Sequence, residues 1–393
     1  MRTDISTGPD KIPTLAWSAL GRRSADNNVA ERLLREGLAC DPDNLLLRRK
    51  LAGHLYDQSR LTEAIAVLEP AIRRADSPTL RLRGMIASAA GDLDMAVEML
   101  QQTGPGASPG DRSMLALAIA RRDGFAAAGP IASDILISDP DNWQALSIEA
   151  SRLAMRGDYA DLDHLCGTLE RRGARNAELF AVWASARASI GHAHAGRLVD
   201  YDACVSVDDL WGEQPDAFNA ALRDELLGHP NIIAPHSTRS TIGGVRIDDL
   251  RTVEALLVKQ LVDAIRNAID IYADTMPKGA FNPLGRYNGG DVTLVIWALI
   301  LSGEAHEKWH IHPAGLISGV YYVDLPEAMM GDAGALELGL LPLGGADSHP
   351  GWRKMVHPRQ GMIVLFPSSY AHRTIPTAHT ANRISIAFDV VHV

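Results

Sequence analysis

The sequence predicts an α+β multidomain chain in which an N-terminal α-solenoid of paired helices leads into a double-stranded β-helix, a jelly roll with flanking helices. Three observations carry that expectation. Small residues recur at a regular period through the first half, and short apolar strands bounded by turn residues fill the second. A pair of histidines two apart, His310 and His312, opens the most strand-like stretch of all. The expected parts are an N-terminal segment over 1–24, helical repeats over 25–195 and the jelly roll over 196–393.

The first half, from about residue 25 to 192, is rich in Ala, Leu, Arg and Glu with apolar residues at helical spacing. Gly91, Gly124, Gly157 and Gly191 follow one another at steps of 33, 33 and 34, and Ser59 lies 32 before the first. Each ends one amphipathic stretch and precedes another, so the period marks helix pairs that must stack to bury their apolar faces. Asp41-Pro42-Asp43-Asn44 and Asp139-Pro140-Asp141-Asn142, 98 apart, suit the turn that closes one unit and caps the next helix. Period and turn resemble tetratricopeptide repeats, with few of the large consensus aromatics and a degenerate unit at residues 121–125. Such a stack is either a structural or dimerising surface or a groove that holds a peptide or protein.

Past Gly191, residues 197–205 have the alternation and aromatic content of a strand. Helical periodicity returns over 215–227 and 250–273, the latter long enough to pack along a barrel. The polar loop 238–244 between them is a candidate lid. Residues 291–301 form a buried strand far shorter than a membrane span. Strands then follow at 334–338, 361–366 and 383–390, with a Gly/Pro-rich excursion over 340–351. On the last strand Arg383, Ser385 and Ala387 share one face and Ile384, Ile386 and Phe388 the other, so the first set can face a cavity while the second packs outward.

Composition narrows the function classes. At 393 residues the chain exceeds one ordinary core, and 46% hydrophobic with 22% charged residues is globular. A net charge of −10 argues against nucleic acid or an anionic membrane as partner. Cys40, Cys166 and Cys204 are far apart, which removes a disulfide framework or zinc knuckle. No signal peptide or spanning helix is expected.

The chemistry converges on three strands. In extended backbone His310 and His312 project from one face, which is a metal-ligand arrangement. His372 follows a later strand, and Arg383 stands eleven residues beyond it. A lone histidine is ordinarily hydrogen-bonded structure, but this ordered series is not ordinary.

The series Trp309-His310-Ile311-His312-Pro313 with Ser318-Gly319-Val320-Tyr321-Tyr322-Val323, then His372 and Arg383-Ile384-Ser385, resembles the Fe(II)/2-oxoglutarate dioxygenases. The likeness is to a bacterial oxygenase group that often carries N-terminal tetratricopeptide repeats. It covers about residues 197–393 and is strongest from Trp309 onward. It implies Fe(II) as cofactor and 2-oxoglutarate as co-substrate. His310 corresponds to the first iron ligand and His372 to the distal one. Arg383, Ser385 and Tyr322 correspond to the group that holds the co-substrate. It also implies oxidative decarboxylation to succinate and CO2, coupled to oxidation of a C–H bond.

One position departs from the usual two-histidine, one-carboxylate triad: the carboxylate slot holds His312. Either His310, His312 and His372 are three ligands, or the register shifts and Ala314 fills that slot. Glu337 is a candidate substitute carboxylate whose expected role is structural or in support behind the ligands, and His306, His349, His357 and His379 are expected at the surface or in loops.

The expected function is hydroxylation of a side chain in a peptide or protein held partly by the repeats, in the cytoplasm, with a homodimer compatible. The rival readings are a cupin-like scaffold that binds metal without turnover and a three-histidine dioxygenase that uses no 2-oxoglutarate.

Overall fold

A computed structural model describes residues 27–74, 76–104, 107–192, 195–212, 216–235, 239–250, 256–277, 291–327, 329–344 and 351–392. The described residues of its first half form helices joined by turns. The helices Leu45–Asp57, Ser77–Ala90, Pro109–Asp123, Trp143–Ala154 and Ala177–Ser189 each open a unit. Helices Leu61–Leu68, Leu93–Gln101, Phe125–Ser138 and Tyr159–Arg171 answer the first four of them. One of the periodic small residues stands between the members of each of these four pairs, and Gly191 follows the fifth opening helix. Ser59, Gly91, Gly124, Gly157 and Gly191 all adopt positive φ, from 61° to 91°. Glycine does so without a Cβ clash, and that steric need sets the period seen in the sequence. The Asp-Pro-Asp-Asn turns cap as expected: Asn44 accepts from the Leu47 amide and Asn142 from the Ala145 amide.

The second half is antiparallel. β1 (Ser206–Asp209), β9 (Met362–Pro367), β6 (Gly315–Asp324), β11 (Arg383–His392), β4 (Val292–Leu301) and β3 (Val245–Ile247) form the larger sheet in that order. A smaller sheet has the order β10 (Ala371–Thr374), β7 (Leu336–Gly339), β8 (Arg353–Val356). β2 (Thr241–Ile242) pairs with β5 (His306–Glu307). An isolated bridge between His310 and His372 ties the two sheets' chemistry together. This is the expected double-stranded β-helix.

Three details differ from expectation. Residues 197–205 are not a strand: a 3-10 turn over Ala195–Arg197 leads to a short helix, Tyr201–Cys204, and pairing begins at Ser206. Asp200 accepts from the Ala203 amide and nucleates that helix, a local signal that outweighs the alternation. The candidate lid forms in part the strand Thr241–Ile242 rather than an open loop, and Thr238 lies outside the described residues. The excursion includes residues 345–350, which also lie outside them, with His349 among these.

The larger sheet has two different faces. Ile384, Ile386, Phe388 and Val390 pack outward with Leu261, Ile265 and Ile269 of the helix Leu256–Thr275. Inward residues Val320, Tyr322, Val364 and Phe366 join a second cluster that continues into the repeats through Leu146, Phe180, Val182 and Trp183. Repeats and barrel therefore share one apolar core. Among the described residues no helix is long and apolar enough to cross a membrane.

Candidate metal centre

The turn after β5 and the start of β10 bring three imidazoles together. His310 and His372 exchange both backbone hydrogen bonds at 3.0 Å, and the His312 amide donates to the Ser368 carbonyl at 3.2 Å. One ring nitrogen from each of His310, His312 and His372 lies within 4.8 Å of the others. His312 Nε2 and His372 Nε2 are 3.3 Å apart. Ala314 is exposed.

The opposite ring nitrogens are engaged elsewhere. His310 Nδ1 meets the Lys308 carbonyl at 2.7 Å, His372 Nδ1 the Tyr370 carbonyl at 3.0 Å, and His312 Nδ1 the Asp389 carboxylate at 2.7 Å. Fixing each Nδ1–H in this way leaves Nε2 as a lone-pair donor, the tautomer that metal binding requires. Burial, with His312 beside it, pushes His310 down to about 4. Burial and the neighbouring imidazoles push His372 well down too. At His312 burial also lowers, but the charge and hydrogen bond of Asp389 outweigh it, and the net shift is upward.

The motif around β6 acquires a physical meaning residue by residue. Ser318 Oγ donates to Asp389 Oδ1 at 2.7 Å and shares a hydrogen bond with Ser368 Oγ at 2.8 Å. A Cβ on Gly319 would lie 2.4 Å from the Phe388 ring, so only glycine leaves that ring its place. Tyr321 points outward and donates to Asn219 at 2.6 Å. Tyr322 points inward, its ring 5.1 Å from the Arg383 guanidinium carbon.

Deeper on the same face lie the co-substrate candidates. Arg383 is only 2% exposed, and its Nε and Nη1 lack hydrogen-bond partners among the described residues. Tyr322 Oη and Ser385 Oγ lack them as well. A buried guanidinium without an anion is costly, and four orphaned donor atoms on one face are the chemistry that a carboxylate would satisfy. The donor sets fit both groups: imidazole suits iron, and a planar fork with hydroxyls suits a 2-oxo diacid.

Sequence reasoning missed two carboxylates here. Asp389 lies two residues beyond Ala387, and the alternation of β11 places it on the same inward face; that signal was present. Glu307 is buried, with Oε2 4.0 Å from His310 Nε2 and Oε1 without a partner among the described residues. A two-residue strand gives no periodicity by which to find it. Glu337 is fully buried on β7 between Arg353 and Arg373, a structural ion pair as expected. His306, His357 and His379 remain outside the cluster.

The family model described as "Putative 2OG-Fe(II) oxygenase" matches residues 295–389, which span β4 through most of β11. No curated protein matches the chain. A prolyl-4-hydroxylase from Pseudomonas putida aligns over 49% of this chain and 96% of its own at 17% identity, TM-score 0.36. HygX from Streptomyces hygroscopicus, solved with nickel and 2-oxoglutarate, aligns over 49% and 85% at 13% identity, TM-score 0.37. A tetratricopeptide repeat protein from Parabacteroides merdae aligns over 72% and 94% at 14% identity, TM-score 0.40. Over residues 295–389, within its C-terminal domain, the chain matches the 2OG-Fe(II) oxygenases, enzymes that use Fe(II) and 2-oxoglutarate.

Proposed function

We propose that this oxygenase hydroxylates a side chain of a peptide or protein that lies between the repeats and the barrel. His310, His312 and His372 are its metal ligands, and Arg383, Ser385 and Tyr322 anchor the co-substrate. Residues 25–195 and 196–393 are its two working parts, and the cytoplasm, which supplies Fe(II) and 2-oxoglutarate, is its setting.

One observation carries the reading. A cavity of about 1410 Å³ has the three histidines, Arg383 and Ser385 in one wall and Arg49, His54, Arg81, Met85 and Trp143 of the repeats in another. Those repeat residues all belong to the first helices of their units. A small metabolite reaching the histidines would have no use for side chains nearly a hundred residues apart along a solenoid, whereas an extended chain would.

When bound, Fe(II) with 2-oxoglutarate supplies oxygen-dependent oxidation of a C–H bond. The chain's residues do the rest. Asp389 orients His312, Arg383 neutralises the far carboxylate, and the apolar wall of Phe366 and Trp297 keeps water from the histidines. A metal-binding scaffold without turnover has no need of orphaned donors beside its histidines.

The test is oxygen-dependent conversion of 2-oxoglutarate to succinate by the full chain reconstituted with Fe(II), and its stimulation by peptides. Absence of succinate under oxygen with iron bound would remove the oxygenase reading; conversion that no peptide or protein stimulates would remove the substrate class.

A further inference from the structure

The cavity contains a carboxyl group that the iron chemistry does not use. Glu178 stands in the first turn of the helix Ala177–Ser189, is 4% exposed, and lines the cavity together with the histidines. Its position relative to them is fixed by the chain itself, because the Ala177 amide donates to the Pro313 carbonyl at 3.2 Å, one residue from His312.

Among the described residues no cation pairs with Glu178. The contrast with its neighbour is instructive. Glu149, equally buried at 3%, is held by Arg152 at 2.6 Å and by Ser133. For Glu178 the nearby Ser147 hydroxyl offsets burial only in part, and burial pushes its carboxyl up to about 7. A buried carboxyl is ordinarily kept because something neutralises it.

What surrounds it suits a positive charge on an alkyl stem. Trp143, Ser147 and Ser151 recur four apart on the helix Trp143–Ala154, so they form one face, and all three line the cavity. An indole ring offers a cation–π surface and an apolar bed, and the serines offer hydroxyl acceptors. Leu341 and Leu343 of the barrel line the same cavity.

We propose that Glu178, with Trp143, Ser147 and Ser151, forms a subsite for an ammonium or guanidinium group of the substrate, held one loop away from the metal centre. Substrates of this oxygenase carry a lysine-like or arginine-like group next to the oxidised position. The proposal rests on the peptide-substrate reading above and narrows it to cationic substrates. It needs no part of the co-substrate cradle.

Binding tests it without turnover. The full chain, loaded with Fe(II) and 2-oxoglutarate under anaerobic conditions, is titrated by calorimetry with capped Gly-Gly-X-Gly-Gly peptides. X is lysine, arginine, or their neutral counterparts norleucine and citrulline. One charge-assisted contact predicts that a cationic peptide binds about tenfold to a hundredfold tighter than its neutral counterpart. In Glu178→Gln that preference disappears, while neutral peptides bind as before.

Should Glu178→Gln fold poorly, Trp143→Leu and the wild-type comparison still decide the matter. Equal binding of lysine and norleucine peptides, no binding of any, or a cationic preference that survives Glu178→Gln would overturn the subsite. n-Butylamine separates two sources of the charge. Affinity equal to that of the lysine peptide identifies a free amine, weaker affinity identifies a peptide side chain, and either supports the subsite if lost in Glu178→Gln. Loss of the subsite with oxygen-dependent succinate formation intact leaves the oxygenase standing.

Discussion

Asp389 Oδ2 lies 2.7 Å from His312 Nδ1, while Oδ1 of the same carboxylate accepts from Ser318 at 2.7 Å. A three-histidine centre is one negative charge short of the usual triad. With His310, His312 and His372 as the proposed ligands, that charge stands one hydrogen bond further out, behind the imidazole. On the proposed assignment, Asp389→Asn keeps all three imidazoles but weakens Fe(II) binding by about tenfold to a hundredfold. Anaerobic titration with Fe(II) measures it, and an unchanged affinity would reduce the pair to a structural contact.

Arg383 makes a separate prediction because it touches no histidine in the cluster. Arg383→Ala should leave Fe(II) binding intact and weaken 2-oxoglutarate binding by at least about tenfold, the scale of one lost charge-assisted hydrogen bond. Arg383→Lys should recover only part of it, since an ammonium keeps the charge and loses the planar fork. Wild-type co-substrate affinity in the alanine variant would take Arg383 out of the anchor.

Much of this was legible beforehand for a physical reason. Period-two alternation on β11 assigned Arg383, Ser385 and Ala387 to one face, and positive φ at Gly91, Gly157 and Gly191 turned a sequence period into a structural one. What was not legible depended on contacts distant in sequence. Glu307 reaches His310 from a two-residue strand, and Glu178 reaches the cavity because the start of its helix meets the barrel at Pro313. The strand expected over 197–205 failed because a local Asp200 cap competes with alternation.

Gly319 tests the packing of the larger sheet. A Cβ there would lie 2.4 Å from Phe388 Cζ and 2.8 Å from the Val364 carbonyl oxygen, and the second is backbone that cannot swing aside. Gly319→Ala should therefore cost about 1–3 kcal/mol of stability. Chemical denaturation gives the number, and a neutral effect would mean that β6 can shift where the structure shows it wedged.

The shared core makes a prediction about the barrel alone. Leu336, Leu338 and Phe366 belong to one apolar cluster with Leu146, Phe180 and Trp183 of the repeats. Residues 197–393 expressed without the repeats should expose part of that cluster and aggregate or bind hydrophobic dyes. A monomeric, cooperatively unfolding fragment would show that the two halves are energetically independent.

Glu178 offers a test of its burial that needs no substrate. Burial raises its carboxyl from 4.5 to about 7 in the folded chain, with the Ser147 hydroxyl opposing in part. A folded pKa above the unfolded value means that folding favours the protonated form. The contribution to stability is therefore fully present below about pH 4.5 and is lost as pH rises to about 7. Glutamine mimics the neutral acid and loses nothing over that window. Glu178→Gln should match wild type near pH 4.5 and exceed it by about 3 kcal/mol near pH 8, an order-of-magnitude figure. Urea titrations at both pH values measure the difference. A variant no more stable than wild type at the higher pH would mean that the carboxylate is already compensated there, and that the cavity keeps no uncompensated negative charge for a cation to meet.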